Sequence, residues 1–133
     1  MKKLVLISLA VIFALGCKSQ KVVTNRSGQK VPQITWEQET INVGDVKLGE
    51  KKEVEFKFEN TGSAILEIEL VTACKCTTLD WPRKPIAPGE KGVISVTYDS
   101  TDQTLGELTK TVDVIANTYP IVVEAFFTVN VIK

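Results

Sequence analysis

Histidine is absent from the 133-residue chain, methionine occurs once, and aromatic residues make up only 7% of it. Without an imidazole there is no Ser-His or Cys-His catalysis, no histidine proton shuttle and no metal site that needs a ring nitrogen. An excess of charge is also missing, since 16 Lys and Arg balance 16 Asp and Glu. No positive field is left over to hold a phosphate backbone, so nucleic acid is not an expected partner. Glycine clusters of the dinucleotide-binding or P-loop kind are lacking too. No stretch of a dozen residues after the first sixteen carries a 3.6-residue apolar stripe, and parallel βαβ architecture therefore has no crossover helices. These absences leave neither a cofactor nor an enzymatic mechanism to expect.

What is present begins at the amino end. Lys2 and Lys3 precede an apolar run from Leu4 to Leu15, interrupted only by Ser8, and Gly16 stands before Cys17. The pattern reads as a secretory signal over residues 1–16. The apolar run is too short for a bilayer-spanning helix, which takes about 20 residues. Ala14-Leu15-Gly16-Cys17 resembles a bacterial lipoprotein signal, with Ala14 where leucine is usual. The resemblance implies lipid attachment at Cys17, and two or more acyl chains make a stable membrane anchor. Removing Lys2 and Lys3 from the 16 basic residues leaves 14 against 16 acidic ones, a weakly acidic mature chain. Residues 17–33 then read as a polar tether with four Lys or Arg and no acid, reaching about 20 Å if flexible. The expected location is the bacterial cell envelope, on its periplasmic face or outer surface.

From residue 34 to 133 the pattern is that of strands. Val54, Phe56 and Phe58 alternate with Glu55, Lys57 and Glu59, and Asn60-Thr61-Gly62 supplies a turn. Further alternating runs cover Leu66–Leu70, Ile94–Tyr98, Thr109–Asn117 and Ile121–Val129, with weaker strands at Ile34–Trp36 and Thr40–Val46. Seven short strands in about 100 residues predict an all-β antiparallel sandwich. The segment from Cys74 to Pro88 is expected to be a long connection.

Several pieces taken in order are similar to one bacterial family. They are Val43-Gly44-Asp45-Val46, Phe56-Lys57-Phe58-Glu59-Asn60-Thr61-Gly62, Cys74-Lys75-Cys76-Thr77, Pro85-Ile86-Ala87-Pro88-Gly89 and Ile94 through Asp99, followed by Gly106 to Asn117. Together they resemble the domain of unknown function 1573 family over about residues 40–117. The resemblance implies an immunoglobulin-like domain on exported or lipid-anchored proteins, without an established activity. Lys75 stands where that family usually has glycine.

Cys74 and Cys76 are the residues most open to chemistry. In a regular strand, residues i and i+2 lie near 7 Å apart, beyond disulfide range, whereas in a turn they can close. A bond closing about three residues contributes about 1.6 kcal/mol at best by chain entropy, and such a bond is redox-active more readily than structural. Two thiolates can also hold a soft ion such as Cu(I), but two cysteines without histidine cannot build a closed zinc site. The pair is therefore inert, a labile disulfide or a soft-metal site. Trp81, in Leu79-Asp80-Trp81-Pro82-Arg83, lies in a loop where it is either packed inward or the rim of a contact loop. Trp36 reads as buried. Asp99-Ser100-Thr101-Asp102 offers calcium-type oxygens, but short polar side chains also make turns, and no metal is assigned to it. The expected function is a non-enzymatic, lipid-anchored module that binds a protein or glycan. A thiol-disulfide or copper-handling module on Cys74 and Cys76 is the alternative.

Overall fold

In a computed structural model the described residues are 28–133, and they contain eight β-strands. The signal segment, Cys17 and most of the tether lie outside them. In chain order the strands are β1 (Ile34–Trp36), β2 (Thr40–Lys47), β3 (Lys51–Asn60), β4 (Ile68–Thr72), β5 (Thr77–Asp80), β6 (Lys91–Asp99), β7 (Gly106–Ala116) and β8 (Val122–Ile132). They form two four-stranded sheets, ordered β1-β3-β6-β5 and β2-β8-β7-β4.

The period-two pattern becomes the core. Val54, Phe56 and Phe58 of β3 with Ile94, Val96 and Tyr98 of β6 face Val112 and Val114 of β7 and Ala125, Phe127, Val129 and Val131 of β8. Their polar neighbours point outward, as alternation requires when one face of a sheet is solvated. Aromatic rings run through the middle. Trp36 meets Phe56 and Phe58 edge-on at 5.9 and 5.8 Å, and Phe127 meets Tyr98 at 5.6 Å. Gly92 exists because Phe58 lies over it: a Cβ there would stand 2.5 Å from the ring's Cζ.

Two details depart from the sequence reading. The segment from Cys74 to Pro88 is not only a connection, because Thr77–Asp80 pairs with β6 and adds an eighth strand. Thr-Thr-Leu-Asp has a single large apolar residue, so it carries no alternating signature; its partner strand supplies the order. Nor is the sandwich wholly antiparallel, since β2 runs parallel to β8. The chain leaves β1 in one sheet, crosses through Glu37-Gln38-Glu39 and joins the other sheet as β2. Polar residues that look like a break in a strand are the crossing itself. Gly44, at φ +83°, absorbs a bulge in β2, with its N–H donating to Asn42 Oδ1 at 2.9 Å.

Asn60 is a buried polar hub at the end of β3. Its Nδ2 donates to the carbonyls of Ala64 and Ile86 at 2.8 and 2.9 Å, and its Oδ1 accepts from Gly62 and Gln33 at 3.0 and 3.3 Å. Val31 and Gln33, at the end of the expected tether, are held to the same turn through Ser63 and Thr61. Asn60 thus positions the segment leading into β1.

Candidate functional site

The switch of sheets leaves an opening. Because β2 begins opposite Phe126, the first residues of β8, Val122 to Ala125, have no strand on that side among the described residues. Backbone groups alternate sides along a strand. The carbonyl of Ile121 accepts from Ala116 toward β7, while the N–H of Phe126 donates to Glu39 on the opposite side. By that parity Val122 and Glu124 present their backbone groups to the gap. On β1, the carbonyl of Gln33 and the N–H of Glu37 are bonded toward β3, so Ile34 and Trp36 present theirs away from it.

The two free edges border one cleft of about 490 Å³, whose walls include Ile34, Trp36, Glu39, Tyr119, Val122 and Glu124. One side-chain tie spans it, with Trp36 Nε1 donating to the carbonyl of Glu124 at 3.0 Å. Val122 and Tyr119 in its wall are 44% and 76% exposed. The cleft therefore combines unpaired strand backbone, apolar side chains and two carboxylates, Glu39 and Glu124. Sequence reasoning named Trp36 as buried; it is half-buried, with one edge in the core and its N–H at the cleft. The shortness of β1, between Pro32 and the acidic crossing, was the signal for a free edge.

At the opposite edge of the first sheet lies the cysteine turn. Cys74 and Cys76 sit between β4 and β5 and are joined by a disulfide, with Cα atoms 5.2 Å apart. The chain turns here, which brings the sulfurs within the range a strand denies them. With both sulfurs bonded to each other, neither is a thiolate for a soft metal. Backbone bonds hold the turn independently: Thr77 donates to the carbonyl of Cys74 from its N–H at 3.1 Å and its Oγ1 at 2.7 Å, and Asp99 N–H donates to the carbonyl of Cys76 at 2.8 Å. Cys76 also lines a cavity of about 210 Å³ with Lys75, Asp99, Thr101, Asp102 and Gln103.

Trp81 follows β5 and packs half-buried against the core, with the Arg83 guanidinium carbon 3.6 Å from its ring centroid. Its Nε1 and the Tyr98 hydroxyl are buried without a hydrogen-bond partner among the described residues. Burial, reinforced by the neighbouring Asp99 carboxylate, pushes the Tyr98 phenol above its ordinary range. Asp99 is held below the usual carboxylate range by the Thr101 hydroxyl first, then by the Thr101 N–H and Lys51. Those Thr101 bonds make Asp99-Ser100-Thr101 a turn closed on itself. Among the described residues no three His, Cys, Asp or Glu converge as a metal site.

Two packed sheets joined by an early strand that changes sheet define an immunoglobulin-like, PapD-like sandwich. The chain belongs to the family described as protein of unknown function (DUF1573), whose model matches residues 34–131. No curated protein matches it. Among solved structures it is similar to a protein of unknown function from Porphyromonas gingivalis W83, with 15% identity and a TM-score of 0.66 over 80% of this chain and 51% of that one. The ASH / PapD-like domain of human CEP192 has 10% identity and a TM-score of 0.60, over 77% of this chain and 87% of that one. The Vibrio cholerae VesB protease has 18% identity and a TM-score of 0.57, over 76% of this chain and 32% of that one. At such identities the likeness is one of fold. The chain spans about half of the Porphyromonas protein and a third of the protease.

Proposed function

We propose that this protein is a non-enzymatic, lipid-anchored module of the bacterial cell envelope that binds an extended polypeptide by strand addition in the cleft between β1 and β8. The observation that carries the reading is the pair of strand edges, Ile34 and Trp36 on one side and Val122 and Glu124 on the other, which border one gap and face no strand there among the described residues, the Glu124 carbonyl being held by Trp36 Nε1. An added strand gains affinity from main-chain hydrogen bonds and specificity from alternate side chains. Glu39 and Glu124 favour a partner whose strand alternates apolar and basic residues. The sequence supports anchoring at Cys17: a Cys17→Ser variant leaves the membrane fraction, and its retention there contradicts the anchor.

The test is titration of the purified protein with peptides of alternating valine and lysine, read by calorimetry. Val122→Pro removes a backbone donor on the cleft side while leaving the β7 ladder intact, because proline is tolerated at the first residue of a strand. Weaker binding to this variant, and none of an acidic peptide, supports strand addition. Equal binding of both peptides, or preferential binding of a glycan, overturns it.

A further inference from the structure

The disulfide between Cys74 and Cys76 is unexplained by the cleft, which lies at the other edge of the sheet. A loop of three residues constrains the unfolded chain very little. The turn is already fixed by three hydrogen bonds that do not involve sulfur. Opening the bond therefore leaves the local backbone in place, which is what a reversible reaction requires.

The surroundings of the two sulfurs differ. Cys76, half-buried against the core, lines the cavity shared with Asp99, Asp102 and Lys75, so a small thiol entering there approaches the bond from the Cys76 side. Lys75, exposed between the two cysteines in the chain, adds a positive charge to the turn, which favours a thiolate there. We propose that Cys74–Cys76 is a thiol–disulfide exchange site in which Cys76 is the attacked sulfur and Cys74 the leaving one, oxidising small dithiols.

In the first step a substrate thiolate attacks Cys76 Sγ. A bond forms between the two, the Cys74–Cys76 bond breaks, and its electron pair departs on Cys74 Sγ, which takes a proton from solvent. The substrate's second thiolate then attacks the substrate sulfur of the mixed disulfide, releasing Cys76 as a thiolate that is protonated in turn. Two electrons and two protons pass from the dithiol to the protein, and the substrate leaves as a disulfide.

The full chain, treated with millimolar dithiothreitol, provides the test. Release of both thiols, with oxidised dithiothreitol formed in equal amount, is expected. The attacked sulfur is read in the wild-type chain by quenching its reaction with cysteamine and mapping the mixed disulfide by peptide mass, cleavage after Lys75 separating the two cysteines; the adduct is expected on Cys76. Circular dichroism of the reduced wild-type protein is expected to match the oxidised one. A wild-type bond that resists millimolar thiol, or an adduct found equally or preferentially on Cys74, overturns the proposal. Both measurements use the wild-type chain, so neither depends on a variant that folds. Peptide binding at the cleft is unaffected by either result, so the two readings fail separately.

Discussion

Replacing Asn60 by aspartate changes one atom and tests the hub that holds β1 beside the cleft. Asn60 is fully buried, donates from Nδ2 to Ala64 O and Ile86 O, and accepts at Oδ1 from Gly62 and Gln33. In Asn60→Asp the two acceptor bonds survive, but the two donated ones are replaced by a carboxylate oxygen facing two carbonyls. Losing two such bonds costs about 2 kcal/mol, and leaving an uncompensated buried charge brings the total to about 4 kcal/mol near neutral pH. Protonated, the same carboxyl donates to one of the carbonyls, and the loss shrinks to about 1 kcal/mol. Burial raises the folded pKa of the introduced carboxyl above its unfolded value of about 3.9. The variant is thus least impaired below that value and loses stability as pH rises toward the folded pKa, by up to about 1.4 kcal/mol per unit. Urea unfolding of wild type and variant at pH 4 and pH 7 measures both quantities. An equal loss at the two pH values, or a loss under about 1 kcal/mol at pH 7, refutes the role of Asn60 as a buried donor.

Tyr98 and Gly92 give two further tests of the same core. The Tyr98 hydroxyl is buried with no partner among the described residues, so Tyr98→Phe is expected to keep or raise stability at neutral pH, by about 1 kcal/mol. Since its folded pKa lies above the ordinary 10.0, wild-type stability holds below pH 10 and falls as pH rises through the folded value, and the variant lacks that component of the alkaline loss. Denaturation across pH 8 to 11 checks both statements; a loss above about 1 kcal/mol at neutral pH contradicts the first. Gly92→Ala drives a methyl into Phe58 and is expected to cost about 1–3 kcal/mol by thermal or urea unfolding. Part of that loss returns in the double variant with Phe58→Leu; additive losses contradict the contact.

Much of this architecture was legible because alternation survives burial on one face. Val54, Phe56 and Phe58 and the run from Ala125 to Val129 declare themselves as inward positions, and they became part of the two inner faces. What escaped was structure imposed by partners. Thr77–Asp80 becomes a strand because β6 offers it an edge. The parallel pairing of β2 depends on a change of sheet that Glu37-Gln38-Glu39 reveals only as polarity. Asn60, read as a turn former, is also a buried four-bond hub, because its partners lie as far away as Gln33 and Ile86. The cysteine pair was bounded by geometry to a turn or to separation, and only the folded chain chooses the turn. The cleft was least legible, since it is made of backbone groups that no side-chain pattern encodes.

The most direct test of strand addition is amide hydrogen exchange, residue by residue, with and without a bound peptide of alternating valine and lysine. Protection is expected to rise at Ile34, Trp36, Val122 and Glu124, whose N–H groups face the cleft, and to stay unchanged at their outward-bonded neighbours Thr35 and Val123. A bound peptide that leaves those four amides exchanging at their free rates, or that protects the exposed edge of β4 instead, would contradict it.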